Sequence, residues 1–256
     1  MQVLSSVSRA LTLLDAFTAE RPEITLSELA RRARAHKSST FRLLSTLEAH
    51  GFVEKLPPGR GYRLGWKLAE LAGRLLARGG LRELAAPHME ELAERTGEIV
   101  HLSVLDRGEI VYLDKRGRSQ PLTVSTSIGG RSPAHASAMG KVLLAGLPAG
   151  EAERELGPRP LRRFTPTTIT DRRQLARELE AIRRQGYALD NEETFPGIRC
   201  VAAPLRDAGG RVLAAVSVTA PTQRLGARRQ AEIRKWVTDA AARIGESIRT
   251  GGINVS

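Results

Sequence analysis

Between Pro22 and Leu64 the chain carries a dense run of start and stop signals that leaves few folds open. Thr25-x-x-Glu28 has the form of a capping box and opens a helix running through Ala33. Residues 34–36 make a short polar break. A second helix then runs from Lys37 to His50, and Gly51 supplies a natural C-terminal stop. Phe52-Val53-Glu54-Lys55 and Tyr62-Arg63-Leu64 flank Pro57-Pro58-Gly59-Arg60-Gly61, a strand–turn–strand pattern. Ahead of these, Val7, Ala10, Leu11, Leu14 and Phe17 recur at helical spacing, so a helix is expected over 5–17, stopped by Pro22. Three short helices followed by a basic-tipped hairpin are the parts of a winged helix-turn-helix.

The helix over 37–50 divides into two faces. With Arg42 at angle zero and about 100° per residue, Ser38, Ser39, Ser45, Thr46 and Ala49 fall within about 60° of it. Thr40, Leu43, Leu44 and Leu47 fall on the other side. A face of short hydroxyl residues around one arginine suits close approach to a DNA major groove. There hydroxyls bond phosphate or base edges and a guanidinium can bond guanine bidentately. Arg31, Arg32, Arg34, Lys37 and Arg42 form the tightest basic cluster. Residues 1–80 hold 13 Lys/Arg against 7 Asp/Glu, and the whole chain carries a net charge of +12, which fits either an anionic partner such as nucleic acid or an arginine-rich genome bias, and net charge alone does not choose between them. Lys37, Ser38, Ser39, Thr40, Arg42, Ser45 and Thr46, with Arg60 at the wing tip, are the candidate contacts to double-stranded DNA.

The rest of the chain reads differently. An amphipathic helix over 65–78, broken by Gly79-Gly80, is expected to connect two domains. Helices are expected over 81–96, 134–147, 171–185 and 228–249. Strands are expected over 98–105, 109–115, 187–190, 198–205 and 212–219. Consecutive hairpins with helices between them argue for an α+β domain built on a mainly antiparallel sheet. The expected boundaries are 1–64 for the winged helix, 65–79 for the linker helix and 80–251 for the second domain. With one cysteine in 256 residues, no disulfide framework or cysteine-rich zinc site is expected. No metal or cofactor is called for. No apolar run spans a bilayer and the N-terminus lacks the pattern of a secretory signal, so no membrane partner and a cytoplasmic location are expected.

Ser6-Val7-Ser8-Arg9-Ala10-Leu11, Leu26-Ser27-Glu28-Leu29-Ala30, Ser39-Thr40-Phe41-Arg42-Leu43-Leu44 and Leu47-Glu48-Ala49-His50-Gly51-Phe52-Val53 resemble the winged-helix half of the IclR family of bacterial transcription regulators. The strings at 97–113, 135–145, 165–170, 182–193, 197–207 and 214–221 resemble its second half, so the resemblance covers nearly the whole chain. It implies a GAF-like effector domain that binds a small, often carboxylate-bearing metabolite. It implies a ligand-responsive repressor of a catabolic operon, acting as a homodimer or homotetramer on a near-palindromic operator. Carried onto matching positions, the pocket uses the backbone amides of Ala138 and Met139, the side chains of Asp190, Cys200, Ser217 and Thr219, and Ile198 as apolar lining. Here Thr219 stands where serine is more usual, and Met139 is bulkier than the small residue some members have. His135 and Lys141 are read as parts of the fold.

Two other readings stay in view. Cys200 with His101 or His135 could form a thiol nucleophile and base, but no elbow, oxyanion-type glycine pair or orienting third group accompanies them, and no catalytic residue is assigned. A DNA-architectural protein without a ligand would need no pocket in so large a second domain.

Overall fold

The structure is a computed structural model and describes residues 3–57, 61–76, 80–117 and 126–250. The chain divides into two compact units, Met1–Leu76 and Ala77–Ser256.

The first unit runs α1 (Ser5–Leu14), β1 (Glu23–Ile24), α2 (Leu26–Arg32), α3 (Lys37–Ala49), β2 (Val53–Lys55), β3 (Tyr62–Leu64) and α4 (Lys67–Leu76). Leu13, Leu29 and Leu44, one from each of the first three helices, meet Ile24, Val53 and Tyr62 of the strands in a common core. α1 stops at Leu14, short of the expected Phe17. The amides of Ala16 and Phe17 reach back only three residues, to Leu13 and Leu14, and tighten the chain into a turn. Half of the capping box forms: the Glu28 amide donates to Thr25 Oγ1 at 3.3 Å. The Glu28 carboxylate turns instead to Arg21 at 3.1 Å and Arg32 at 3.5 Å, where two cations outcompete one amide. The wing gains a third strand that carries no local signal, the two-residue β1, and the order is β1-β3-β2. β1 reaches β3 because Gly61 has φ +95° and a Cβ there would sit 2.3 Å from Ile24 O. α4 groups with this unit and begins at Lys67 rather than 65, the expected end at 78 lies outside the described residues, and none of the helix's residues is buried.

The second unit runs α5 (Leu81–Thr96), β4 (Ile99–Asp106), β5 (Glu109–Arg116), β6 (Arg131–Pro133), α6 (Ala138–Gly146), α7 (Glu151–Leu156), α8 (Arg172–Gln185), β7 (Ala188–Asn191), β8 (Ile198–Arg206), β9 (Val212–Pro221), a 3₁₀ turn (Thr222–Arg224) and α9 (Ala227–Thr250). Its six strands form one antiparallel sheet in the order β6-β5-β4-β9-β8-β7. The fold class is α+β. Side chains alternate across the strands, so each face has its own core. Val100, Leu102, Val201, Ala203, Val216 and Val218 face α5 and α9. Ile110, Ala188, Ala202 and Ala215 face α6 and α8. The short β6 and α7 were not expected from the sequence. Among the described residues no helix is long and apolar enough to cross a membrane.

α6 begins at Ala138 rather than 134. Ser137 has extended backbone and its hydroxyl accepts from the Gly140 amide at 3.1 Å, so it is the N-cap. Residues 134–137 form a buried turn against the helix. A Cβ on Gly140 would lie 2.2 Å from Ala134 Cα, so only glycine lets turn and helix meet. Gly140→Ala should therefore destabilise the protein by about 1–3 kcal/mol or more. Gly73→Ala, on the solvent side of α4 with open space around it, should stabilise by up to about 1 kcal/mol. Thermal unfolding monitored by circular dichroism checks both. A G140A protein melting at or above the parent temperature contradicts the packing argument.

Candidate functional sites: an exposed helix face and an internal cavity

α3 is anchored by Leu44 and Thr40, both fully buried, with Leu43 and Leu47 partly buried beside them. Opposite this anchor, Lys37, Ser38, Ser39, Arg42 and Thr46 are exposed and Ser45 is half-buried. The hydroxyls of Ser45 and Thr46 donate to Phe41 O and Arg42 O, which leaves their oxygens turned outward as acceptors. Thr40 corrects the sequence reading. It is 0% exposed and its hydroxyl donates to His36 O at 3.1 Å, so its side chain belongs to the core and cannot touch DNA. Arg34 takes φ +50°, which makes the sharp turn between α2 and α3. Phe41 is exposed beside this face, with the Lys55 ammonium of the wing 5.6 Å from its ring centre. It was not singled out in the sequence. Arg60 lies outside the described residues.

In the second unit, sheet register brings together side chains far apart in the chain. Asp190 pairs with Cys200 and Cys200 with Thr219, so these three stand side by side across β7, β8 and β9. One row along, Ser217 pairs with His101 on β4. Both rows lie on the face toward α6, and with the first turn of that helix they enclose a cavity of about 40 Å³. All seven residues assigned to the pocket from the sequence, Ala138, Met139, Asp190, Ile198, Cys200, Ser217 and Thr219, line it. So do His101, Tyr112, Thr126, Ser132, Ser137, Thr194 and Phe195. The signal for His101 was present: Ile99, His101 and Ser103 alternate along β4, which puts all three on one face. Thr194 and Phe195 sit in an irregular loop and carried no such signal.

The cavity is polar and largely satisfied by its own groups. Asp190 Oδ1 accepts from the Glu193 amide at 2.7 Å, and the Thr194 hydroxyl lies 3.1 Å from Oδ2. His101 Nε2 is 2.8 Å from Thr126 Oγ1, and its ring stands 5.0 Å from that of Tyr112. The Ser217 hydroxyl is the exception: it is 0% exposed and has no hydrogen-bond partner among the described residues. The first-turn amides of Ala138 and Met139 have no intrahelical acceptor, because α-helix geometry leaves such donors free. Unsatisfied donors facing a small cavity, one set at a helix N-terminus, are suited to an anionic or strongly polar guest.

Burial controls the charges. Desolvation, aided by the Lys115 ammonium, lowers the His101 pKa to about 3, so its imidazole is neutral at ordinary pH. Desolvation raises the Asp190 pKa to about 7, against the pull of the Glu193 amide. The Cys200 thiol is pushed up by burial and then by the Asp190 carboxyl, so it stays protonated. The Thr219 hydroxyl lies 3.2 Å from Cys200 Sγ and 3.4 Å from His101 Nδ1. His135 Nε2 is 2.9 Å from Arg162 O. A nucleophilic thiol needs a lowered pKa, and burial holds that of Cys200 well above the ordinary thiol range. Among the described residues no group of three or more His, Cys, Asp or Glu side chains could hold a metal ion.

Comparison with known proteins gives a consistent picture. Residues 73–246 match the C-terminal domain of the bacterial transcriptional regulator IclR, and residues 6–57 match the IclR helix-turn-helix domain. The chain is 36% identical to the HTH-type transcriptional regulator XynR of Escherichia coli over 248 residues, 97% of this chain and 98% of that protein. It is 30% identical to the transcriptional repressor IclR of the same organism, over 94% of this chain and 89% of that protein. Among solved structures, an IclR homolog from Microbacterium hydrocarbonoxydans complexed with 4-hydroxybenzoate superposes with a TM-score of 0.81 at 30% identity, covering 96% of this chain and 99% of that one.

The charge state of the cavity predicts the reactivity of Cys200, the chain's single thiol. At pH 8 the folded protein should react with an aromatic disulfide reagent at least about tenfold more slowly than the urea-unfolded chain. Equal or faster labelling of the folded protein would mean an activated thiol and would reopen the enzyme reading.

Proposed function

The chain belongs to the IclR family of DNA-binding transcription regulators, and on that premise we propose that it is a repressor of a catabolic operon that senses a small carboxylic acid. The observation that carries the sensing half is the buried Ser217 hydroxyl, without a partner among the described residues, in a small cavity beside the free amides of α6. A buried donor without an acceptor costs about 1–3 kcal/mol, which a carboxylate oxygen at that position offsets. The acid's other oxygen then takes the amides of Ala138 and Met139, and Ile198 packs on its apolar side. The relative with 4-hydroxybenzoate bound, itself a carboxylic acid, supports that chemistry.

In the DNA half, the face of α3 made by Lys37, Ser38, Ser39, Arg42, Ser45 and Thr46 lies in the major groove, with the wing and Arg60 against the backbone. One such helix spans only a few base pairs, so specificity requires two half-sites and a homodimer on a near-palindromic operator. The surface for pairing is available in the first unit. Leu4 just before α1 and Val7 and Leu11 on it are exposed, α4 exposes Leu71 and Leu75, and Trp66 just before α4 is 80% exposed. Effector binding alters DNA affinity only to the extent that the acid prefers one state of the dimer, a coupling of about 1–3 kcal/mol in typical regulators.

Two experiments test these halves separately. Arg42→Ala should weaken operator binding by about 1–3 kcal/mol and relax base preference. Thr40→Val should leave base preference unchanged, because Thr40 faces the core. Gel-shift titration on a selected operator reads both, with two chains expected per site, and unchanged selectivity in R42A removes Arg42 from the reading helix.

The effector half is tested by pH. Below about 7 Asp190 is protonated and tolerates an anion beside it. As pH rises through about 7 it ionises and repels the guest, so carboxylate affinity should fall toward about tenfold per pH unit. The other groups around Asp190 are Glu193, Lys141, Cys200 and Tyr112. The cysteine and tyrosine pKa values are both raised, so neither ionises in this window. Asp190→Asn should abolish the slope between pH 6 and 8 in calorimetric titrations; a slope that survives assigns the proton to another group.

A further inference from the structure

We infer that Met139 sets the length of acid the cavity accepts and that Ser103 holds it in place. This rests on the reading of the cavity as the effector site. The cavity ends abruptly along the sheet. His101 and Ser217, paired across β4 and β9, line it. The next residues on the same face, Ser103 and Ala215, are also paired across these strands but lie outside it, both 0% exposed. Met139 covers that second row. Its side chain lines the cavity on one side, and on the other its sulfur accepts a hydrogen bond from Ser103 Oγ at 3.1 Å.

The arrangement has the features of a stop rather than of ordinary core packing. A thioether is a weak acceptor, so the Ser103 hydroxyl is poorly satisfied where it stands and keeps a donor ready for a better partner. Ala215 beside it is small, so the Met139 side chain stands between the cavity and the Ser103 hydroxyl. An interior of about 40 Å³ holds roughly three water molecules, enough for a carboxylate and one or two further carbons. A longer acid must displace the Met139 side chain. An aromatic acid with a distal hydroxyl would then find Ser103 in its path. Ser103 acts through Met139 and is a positioning residue.

The test uses the full chain and calorimetric titration with glycolate, pyruvate and 4-hydroxybenzoate. The parent protein is expected to bind the two short acids in preference to the aromatic one. In Met139→Ala the ratio of 4-hydroxybenzoate to pyruvate affinity should rise at least about tenfold, a shift comparable to deleting a few buried methylene groups. Met139→Leu, which keeps the volume and loses the sulfur, should retain the preference for short acids. Ser103→Ala, which frees the methionine without changing its size, should raise the ratio by a smaller factor. If M139A does not fold by circular dichroism, Met139→Val makes the same comparison with a smaller cut. An unchanged ratio in the folded variant, with Ser217→Ala still abolishing pyruvate binding, overturns the role of Met139 and leaves the site intact. Acid binding that is absent from the parent, or indifferent to S217A, overturns the site and the inference together.

Discussion

A lysine withdrawn from water organises the polar side of the second unit. Lys141 is 1% exposed, and its ammonium is held by Glu193 at 2.6 Å and Glu178 at 3.5 Å. Those partners come from the loop after β7 and from α8, so one charge ties two other parts of the chain to α6. A buried ion pair contributes little net stability, but removing one partner strands the other and costs several kcal/mol, so the three elements are held together or lost together. The amide of Glu193 in turn donates to Asp190. The position of the cavity's carboxyl is thereby referred back to the helix whose N-terminus forms the opposite wall.

The sheet divides the labour between its faces. On the side of α5 and α9 the strands present Val, Leu and Ala, which pack without polar demands. On the side of α6 the same strands present Asp190, Cys200, Thr219, Ser217 and His101 in two adjacent rows. Period-two alternation permits this because a strand can satisfy a core and a polar site at once. The cost of burying so many polar groups is met mostly from within, through Thr126, Thr194 and the Glu193 amide. What is left over is a serine hydroxyl and two helix amides.

The first unit solves the opposite problem, of holding a polar helix face rigid without burying it. Thr40 and Leu44 fasten α3 from below, while the hydroxyls of Ser45 and Thr46 donate back to their own helix and keep acceptor lone pairs turned outward. Thr40 is instructive because its type matches its exposed neighbours. Residue chemistry alone groups it with Ser38 and Ser39, whereas its angle on the helix puts it with Leu44.

Much of this was legible in the sequence wherever a local rule applied. Helix spacing, Gly51, the strand–turn–strand pattern and the i, i+2 alternation of Ser217 and Thr219 all act within a few residues, where backbone geometry leaves little choice. The edges of that legibility are also physical. β1 is two residues long and exists only because β3 pairs with it, and α6 starts at Ala138 because Ser137 caps it against a turn that Gly140 alone can accommodate. Which residues are polar, which alternate and which helix face is charged could be read along the chain, since those are properties of near neighbours. That Asp190, Cys200 and Thr219 stand shoulder to shoulder, that Ser217 has no partner among the described residues, and that Met139 meets Ser103 emerged only on folding. Register between strands and the docking of a helix on a sheet depend on contacts between distant segments, and no short-range pattern encodes them.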